Sequence, residues 1–207
     1  MGNTRLTEHY TDSRTKRQQI LDAAYEIFSR KGYHQATVDE IIALADTGKG
    51  TVYNYFVNKE QLFYTLIKER SSPFETALQQ IVDSSEPPLP KIESMIKEYI
   101  AFYVVNADLW RVMMHEVRGL GTAGYSNFSE QQRDKYRIWF KSTIGMLEIV
   151  LNECIAAGEI RQCDVTKTAY ALFSVIVMMV FQKFVSDDID ETAKAVSNVF
   201  LYGVTNR

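Results

Sequence analysis

The sequence is poor in the residues that mark extracellular, fibrous and membrane proteins. Its 207 residues include two cysteines, Cys154 and Cys163, too few for a disulfide framework, so we expect a reduced, cytoplasmic protein. Four prolines and ten glycines exclude a collagen-like or low-complexity chain. The longest nearly continuous apolar run, residues 169–181, is shorter than the roughly 20 residues that a membrane-spanning helix needs. We therefore expect a globular protein with no membrane partner.

An excess of charge of one sign is also absent. The formal net charge is −3, and the first 60 residues carry eight basic and eight acidic side chains. A strongly basic domain would have indicated a nucleic-acid partner. Any prediction of nucleic-acid binding must therefore rest on where individual polar and positive residues lie.

Catalytic and metal-binding motifs are missing too. The sequence contains none of the patterns HExxH, CxxC, GxSxG and GxxxxGK[ST]. Its three histidines, His9, His34 and His115, lie far apart in the sequence, and none is close to either cysteine. We therefore predict a protein that is not an enzyme, with no cofactor and no metal site.

Apolar residues recur at helical spacing in nearly every window, without sustained alternation of period two, which predicts an all-α fold. The first apolar stripe ends at Lys31-Gly32, a typical helix end. Thr37 and Glu40 form a capping box, and Asn58 is placed to cap a later helix. Pro73 predicts a kink in that helix, and the string SSEPPLP at 84–90 predicts a break. Further helices are expected at about 90–105, 108–119, 127–157, 164–185 and 189–204.

Residues 37–56 contain two short predicted helices joined by a tight turn. This arrangement is typical of a helix-turn-helix, whose second helix enters the DNA major groove. The second helix, GKGTVYNYF, is unsuited to a protein core because it contains two glycines, two tyrosines, a lysine and an asparagine. Only Val52 and Phe56 are expected to face the core. The same composition also fits a solvated surface helix.

The polar residues of this second helix have the chemistry that DNA contacts require. A glycine at position 50 lets the backbone approach a phosphate closely. Lys49, Thr51 and the Tyr53 hydroxyl can donate to phosphate oxygens, and Asn54 can read a base edge.

The sequence around this helix pair resembles the DNA-binding domain of the TetR family. The residues that carry the resemblance are Gly32-Tyr33, Ala36-Thr37-Val38, Ile41, Ala45, the run from Lys49 to Phe56, Lys59 and Leu62. The resemblance implies an all-helical homodimeric transcriptional regulator, usually a repressor. Such a protein binds a pseudo-palindromic operator on double-stranded DNA and is released by a small-molecule effector, here expected to be hydrophobic or amphipathic.

The resemblance also implies domains and DNA-binding residues. A flexible arm at 1–13 would precede a three-helix DNA-binding domain at 14–74, followed by a helical effector-binding and dimerisation domain at 75–207. Thr37 would cap the first helix of the motif and bring its amide to a phosphate, and Lys59 would be a further phosphate contact. The implied DNA-binding residues are Thr37, Lys49, Gly50, Thr51, Tyr53, Asn54, Tyr55 and Lys59. Basic residues ahead of these helices either reach DNA or form a frayed tail: Arg5, Arg14, Lys16 and Arg17.

One departure from the family concerns the turn between the two helices. This chain has Asp46-Thr47-Gly48 where the family often has Gly-Val-Ser. Gly48 replaces the capping serine, although glycine is itself a tolerable cap. The carboxylate of Asp46 favours a helix N-terminus but is expected to weaken binding to the DNA backbone.

The rest of the chain offers a dimer face and an effector pocket. Six apolar residues on the last two predicted helices are candidates for the dimer interface: Val175, Met179, Phe181, Val196, Val199 and Phe200. The first of these helices would otherwise be the central helix of the monomer. Aromatic and methionine-rich residues suit an adaptable apolar pocket, or equally an ordinary core. The candidate effector-binding residues are Phe102, Tyr103, Trp110, Met113, Met114, Arg118, Trp139, Phe173 and Val177.

A different function remains open at this point. A helical ligand-binding or protein-interaction module without operator binding would have the same composition, and the neutral N-terminal region and Asp46 are compatible with it. Steep loss of DNA affinity with rising salt would distinguish a DNA-binding protein from such a module.

Overall fold

A computed structural model describes residues 15–118, 128–186 and 188–203, excluding the side chains of residues 117 and 118. Within these ranges the chain forms only helices, so the all-α prediction is confirmed. The helices are α1 Lys16–Gln35, α2 Val38–Leu44, α3 Lys49–Tyr55, α4 Lys59–Asp83, α5 Pro88–Val105, α6 Ala107–Arg118, α7 Glu130–Ala156, α8 Val165–Phe181 and α9 Ile189–Tyr202. None of the described helices is long and apolar enough to cross a membrane. The proposed arm at 1–13 lies outside the described residues.

Local sequence signals set the ends of the first helices. Gly32 interrupts α1 with a φ of +75°, a conformation that glycine adopts readily. The Thr37 hydroxyl accepts the Glu40 N–H at 3.2 Å, and the Glu40 carboxylate accepts the Thr37 N–H at 3.0 Å, which confirms the capping box. The Lys31 ammonium, together with the hydroxyl and N–H of Thr37, lowers the pKa of the Glu40 carboxyl to about 2. The Asn58 side chain accepts the Gln61 N–H at 2.8 Å and caps α4.

Helix α4 continues through Pro73 to Asp83, as the sequence predicts. Proline removes one helical hydrogen bond, but Phe74 directly after it is buried and stacks on Phe102 of α5 with ring centroids 4.2 Å apart. The chain then breaks at 84–87 and α5 begins at Pro88, two residues earlier than expected. The earlier start is explained by the preference of proline for the first turn of a helix.

The packing places the N-terminal helices directly on the later ones. Helices α1 to α3 pack around the start of α4, with Phe28 and Phe63 fully buried between them. Helix α5 is central and contacts α4, α7, α8 and α9, while α6 packs on α1. Buried apolar side chains form one continuous core through all nine helices of the described chain. Helices α1 and α6 are therefore in direct contact.

The cap at Asn58 provides a test of the α4 boundary. Replacing the cap by alanine leaves the Gln61 N–H without its acceptor, so Asn58→Ala should destabilise the protein by about 1 kcal/mol. For a chain of this size that corresponds to a fall of roughly 2–4 °C in the melting temperature. Asn58→Ser, which keeps an acceptor oxygen, should melt close to the wild type. Equal melting temperatures for both variants would contradict the capping role.

Candidate DNA-binding and effector sites

Helix α3 presents nearly all of its polar residues to solvent. Val52 and Phe56 are 1% and 2% exposed and fix the helix to the core, as the sequence predicts. Tyr53 and Tyr55 are 43% and 46% exposed, and Asn54 between them is exposed as well. Two phenol hydroxyls and an amide therefore lie on the outer surface, where they can reach phosphates and base edges.

The first turn of α3 is also open. Lys49 is exposed, and its ammonium lies 3.3 Å from a carboxylate oxygen of the equally exposed Asp39. A methyl group added to Gly50 would meet no atom within 4 Å outside its chain neighbours and the backbone of its own helix, so packing within this chain does not require a glycine there. This favours the interpretation that Gly50 keeps the surface free for an external backbone. Thr51 is half-buried beside it.

Thr37 and Lys59 have partners inside the protein. The Thr37 N–H donates to Glu40, so the amide expected to approach a phosphate is already bonded. The Lys59 ammonium donates to the carbonyl oxygens of Tyr33 at 2.8 Å and Ala36 at 3.1 Å, and lies 4.4 Å from the Tyr33 ring centroid. Burial lowers the pKa of Lys59. Both residues hold the α1–α2 junction, and their phosphate contacts stay predictions.

The turn before α3 is strained and carries a negative charge. Asp46 has a φ of +44°, in the left-handed region that glycine favours. The Lys16 ammonium donates to its carbonyl oxygen at 3.2 Å. Gly48 caps α3 without a side-chain hydrogen bond. The Asp46 carboxylate is thus held at the exposed edge of the candidate DNA surface.

Two of the basic residues ahead of the motif belong to the fold. Lys16 begins α1, and Arg17 forms an ion pair with Glu69 and lies over the Phe56 ring. They are therefore part of helix α1 rather than of a frayed tail. Arg5 and Arg14 lie outside the described residues.

The candidate effector-binding residues come together between α5, α6, α7 and α8. The Trp110 and Trp139 rings stack at 4.8 Å, and Trp110 also packs on Phe102 at 5.2 Å and Tyr103 at 5.7 Å. Tyr103 in turn contacts Phe173 at 5.7 Å. We call these five rings the aromatic cluster. Met113 and Val177 are buried nearby, Met114 is half-buried, and the side chain of Arg118 lies outside the described residues.

Polar partners of this region were missed from the sequence. The Trp139 ring N–H donates to Glu75 of α4 at 2.6 Å, and Ser71 donates to the same oxygen at 2.6 Å. At the DNA-domain side, the buried Glu116 carboxylate of α6 lies 3.2 Å from the His34 ring nitrogen of α1. The spacing of four residues between Ser71 and Glu75 was the only sequence signal for the contacts of Glu75 with Trp139 and Ser71. No local sequence pattern indicates the contact between Glu116 and His34.

The last two helices each leave apolar side chains exposed, and we call this set of residues the α8–α9 stripe. Val175 and Met178 of α8 are 49% and 57% exposed, and Val199 and Tyr202 of α9 are 56% and 62% exposed. Val196 is a correction, because it is 5% exposed and packs in the core of its own chain, whereas Val199, one turn further along α9, is exposed. The other predicted interface residues are half-buried: Met179, Phe181 and Phe200.

Two family models match the chain. A model of bacterial regulatory proteins of the tetR family matches residues 20–65, which contain α2 and α3. A model of the tetracyclin repressor-like C-terminal domain matches residues 85–181, from the α4–α5 break to the end of α8. Together the two ranges span more than half of the chain.

Several relatives and solved structures match over almost their whole length. The fatty acid metabolism regulator protein of Bacillus subtilis is 28% identical over 198 residues, 94% of this chain and 98% of that protein. The crystal structure of FadR from Bacillus subtilis in complex with stearoyl-CoA is 26% identical, with a TM-score of 0.75 over 91% of this chain and 99% of that one. The fatty acid degradation regulator FadR from Bacillus halodurans is 25% identical, with a TM-score of 0.77 over 94% and 98% of the two chains. The chain therefore belongs to the TetR family and is a DNA-binding, ligand-responsive transcriptional regulator.

Proposed function

We propose that this protein is a cytoplasmic homodimer that represses genes of fatty acid metabolism. It binds a pseudo-palindromic operator and leaves it when a long-chain acyl-CoA binds the C-terminal helices. The observation that carries this proposal is the likeness, along nearly the whole chain, to a FadR structure that contains stearoyl-CoA. A hydrophobic acyl chain also suits a core in which aromatic side chains meet across four helices.

The DNA-binding half of the proposal is supported by α3. Its outer surface carries Lys49, Tyr53, Asn54 and Tyr55, and Gly50 leaves room for close approach. These groups can form hydrogen bonds with phosphates and base edges while Val52 and Phe56 stay buried in the core. Since the first 60 residues carry equal numbers of basic and acidic side chains, we expect contacts of this kind, rather than long-range attraction, to set operator affinity.

The dimer is supported by the α8–α9 stripe. Two recognition helices must lie about 34 Å apart to enter successive major grooves, which one copy of the chain does not provide. Val175 and Met178 on α8 and Val199 and Tyr202 on α9 leave large apolar side chains exposed, and both helices pack on α5. Pairing of two such stripes around a two-fold axis would bury these side chains.

Effector release is the first test. Footprinting of the protein on the DNA upstream of its own gene should show a protected palindrome, and micromolar stearoyl-CoA should abolish the protection. Coenzyme A alone should leave it intact, because it lacks the acyl chain that enters the core. Stearate is the second comparison, and release by stearate equal to release by stearoyl-CoA would contradict a thioester effector. Absence of protection at low salt would contradict operator binding itself.

The Asp46 carboxylate provides the second test. Asp46→Asn keeps the size of the side chain and its tolerance of positive φ but removes the charge. Operator affinity should rise about two- to fivefold at low salt, and by less at 0.2 M salt because of screening. Glu86→Gln is the matched control, since it removes an exposed carboxylate in the α4–α5 break, beyond the far end of the 25-residue helix α4. Equal titration curves for Asp46→Asn and Glu86→Gln would show that the Asp46 charge does not reach the DNA.

The third test concerns the dimer. Met178→Glu places two like charges at the centre of the proposed interface, so light scattering should show a monomer where the wild type is a dimer. Operator affinity should fall at least tenfold, because a monomer engages one half-site. Ile138→Glu, at a position on α7 that is 70% exposed, should change neither result. A Met178→Glu protein that remains a dimer would contradict an interface that includes Met178.

A further inference from the structure

An ion pair joins the two helices of the helix-turn-helix near their N-terminal ends. The Lys49 ammonium, on the first residue of α3, lies 3.3 Å from a carboxylate oxygen of Asp39 in the first turn of α2. The two side chains are 66% and 76% exposed. An exposed pair of this kind adds little to stability, so stability does not explain its presence. The N-terminal residues of a recognition helix are the ones that contact base edges in the major groove.

The two acidic residues in the first turn of α2 differ in what they contact. One oxygen of the Glu40 carboxylate accepts the Thr37 N–H, and the other forms an ion pair with Lys31, so both serve contacts within the protein. Asp39 instead contacts the recognition helix through its Oδ1 atom. A carboxylate accepts about four hydrogen bonds and an ammonium donates three, so the contact between Asp39 and Lys49 leaves both groups able to bond DNA as well.

The spacing of this donor and this acceptor matches the edge of one kind of base pair. In the major groove a G·C pair presents the N7 and O6 acceptors of guanine beside the N4 donor of cytosine. Guanine O6 and cytosine N4 are hydrogen-bonded to each other, so they lie about 2.9 Å apart. The Lys49 ammonium and the Asp39 carboxylate lie 3.3 Å apart and offer the complementary groups in the same order.

We propose that Asp39 and Lys49 together read one G·C base pair in the operator half-site. Lys49 donates to N7 and O6 of guanine, and Asp39 accepts from N4 of the paired cytosine. Asp39 is thus a specificity-determining residue on α2, the helix that crosses the DNA backbone. This inference rests on the operator binding in the proposed function, and it does not depend on which effector the protein binds.

The same two side chains disfavour the other base pairs. In an A·T pair a Lys49 N–H would meet the adenine amino group, and the Asp39 carboxylate would meet thymine O4. In a C·G pair Lys49 would meet the cytosine amino group, and Asp39 would meet guanine O6. A T·A pair keeps the order of donor and acceptor but has the thymine methyl group where guanine has N7, so the ammonium loses one acceptor. Contacts between like groups lower affinity, and that loss provides the specificity.

Selection from a random library of duplex DNA tests this assignment. The wild-type protein should enrich sites in which one position of the half-site is a G·C pair. Replacing that pair by A·T should weaken binding about five- to a hundredfold. In Asp39→Ala and in Lys49→Met the preference at this position should be lost, while the preferences at the other positions remain. Both side chains are exposed, so both variants should melt close to the wild-type temperature.

Asp46→Asn is the matched control, because it removes another exposed carboxylate from the edge of the same surface. It should raise affinity for all sequences alike and keep the G·C preference. The double variant Asp39→Ala/Lys49→Met should lose no more discrimination than either single variant, because the two side chains act as one unit.

Two results would overturn the reading of a G·C pair while operator binding stands. One is an unchanged G·C preference in Asp39→Ala, and the other is a change in affinity that is equal for every sequence, which a purely structural or repulsive role of Asp39 would produce. A wild-type protein that selects no sequence from the library would contradict operator binding itself, and this proposal with it.

Discussion

The function of this protein depends on the anchoring of one short helix. Helix α3 has seven residues, too few to be stable in water by itself, and Val52 with the adjoining Phe56 are its buried contacts with the core. Because the anchors occupy one side, every polar residue on the other side is presented to solvent in a fixed direction. The ion pair and ring contact of Arg17 with Glu69 and Phe56 strengthen the same attachment.

That anchoring makes the position of α3 dependent on the helices beneath it. Lys59 at the start of α4 bonds the carbonyl oxygens of the α1–α2 junction, and Glu116 of α6 lies against His34 of α1. The candidate DNA-binding surface is therefore connected by partly buried polar contacts to α4 and to α6, which carries candidate effector residues. A regulator needs this kind of stiffness, since a loose connection between its two parts would lose the effector's signal.

Much of the fold follows from local sequence signals. The capping box at Thr37 and the cap at Asn58 define helix starts, and Gly32 interrupts α1 three residues before its end, through bonds and angles that involve few neighbouring residues. The direction of individual side chains was harder to predict. Lys59 faces the protein because two carbonyl oxygens lie within its reach, and Val196 faces the core because α5 covers that side of α9.

The sequence by itself determined the helical class, most helix boundaries and the polar composition of α3, because caps, glycines and apolar periodicity act over a few residues. It also placed aromatic residues where a pocket was expected. Only the tertiary structure decided that the Trp139 N–H donates to Glu75 of α4 and that the Tyr99 hydroxyl donates to the carbonyl oxygen of Thr143. Whether a buried donor finds an acceptor depends on atoms more than forty residues away in the chain, and no local pattern carries that information.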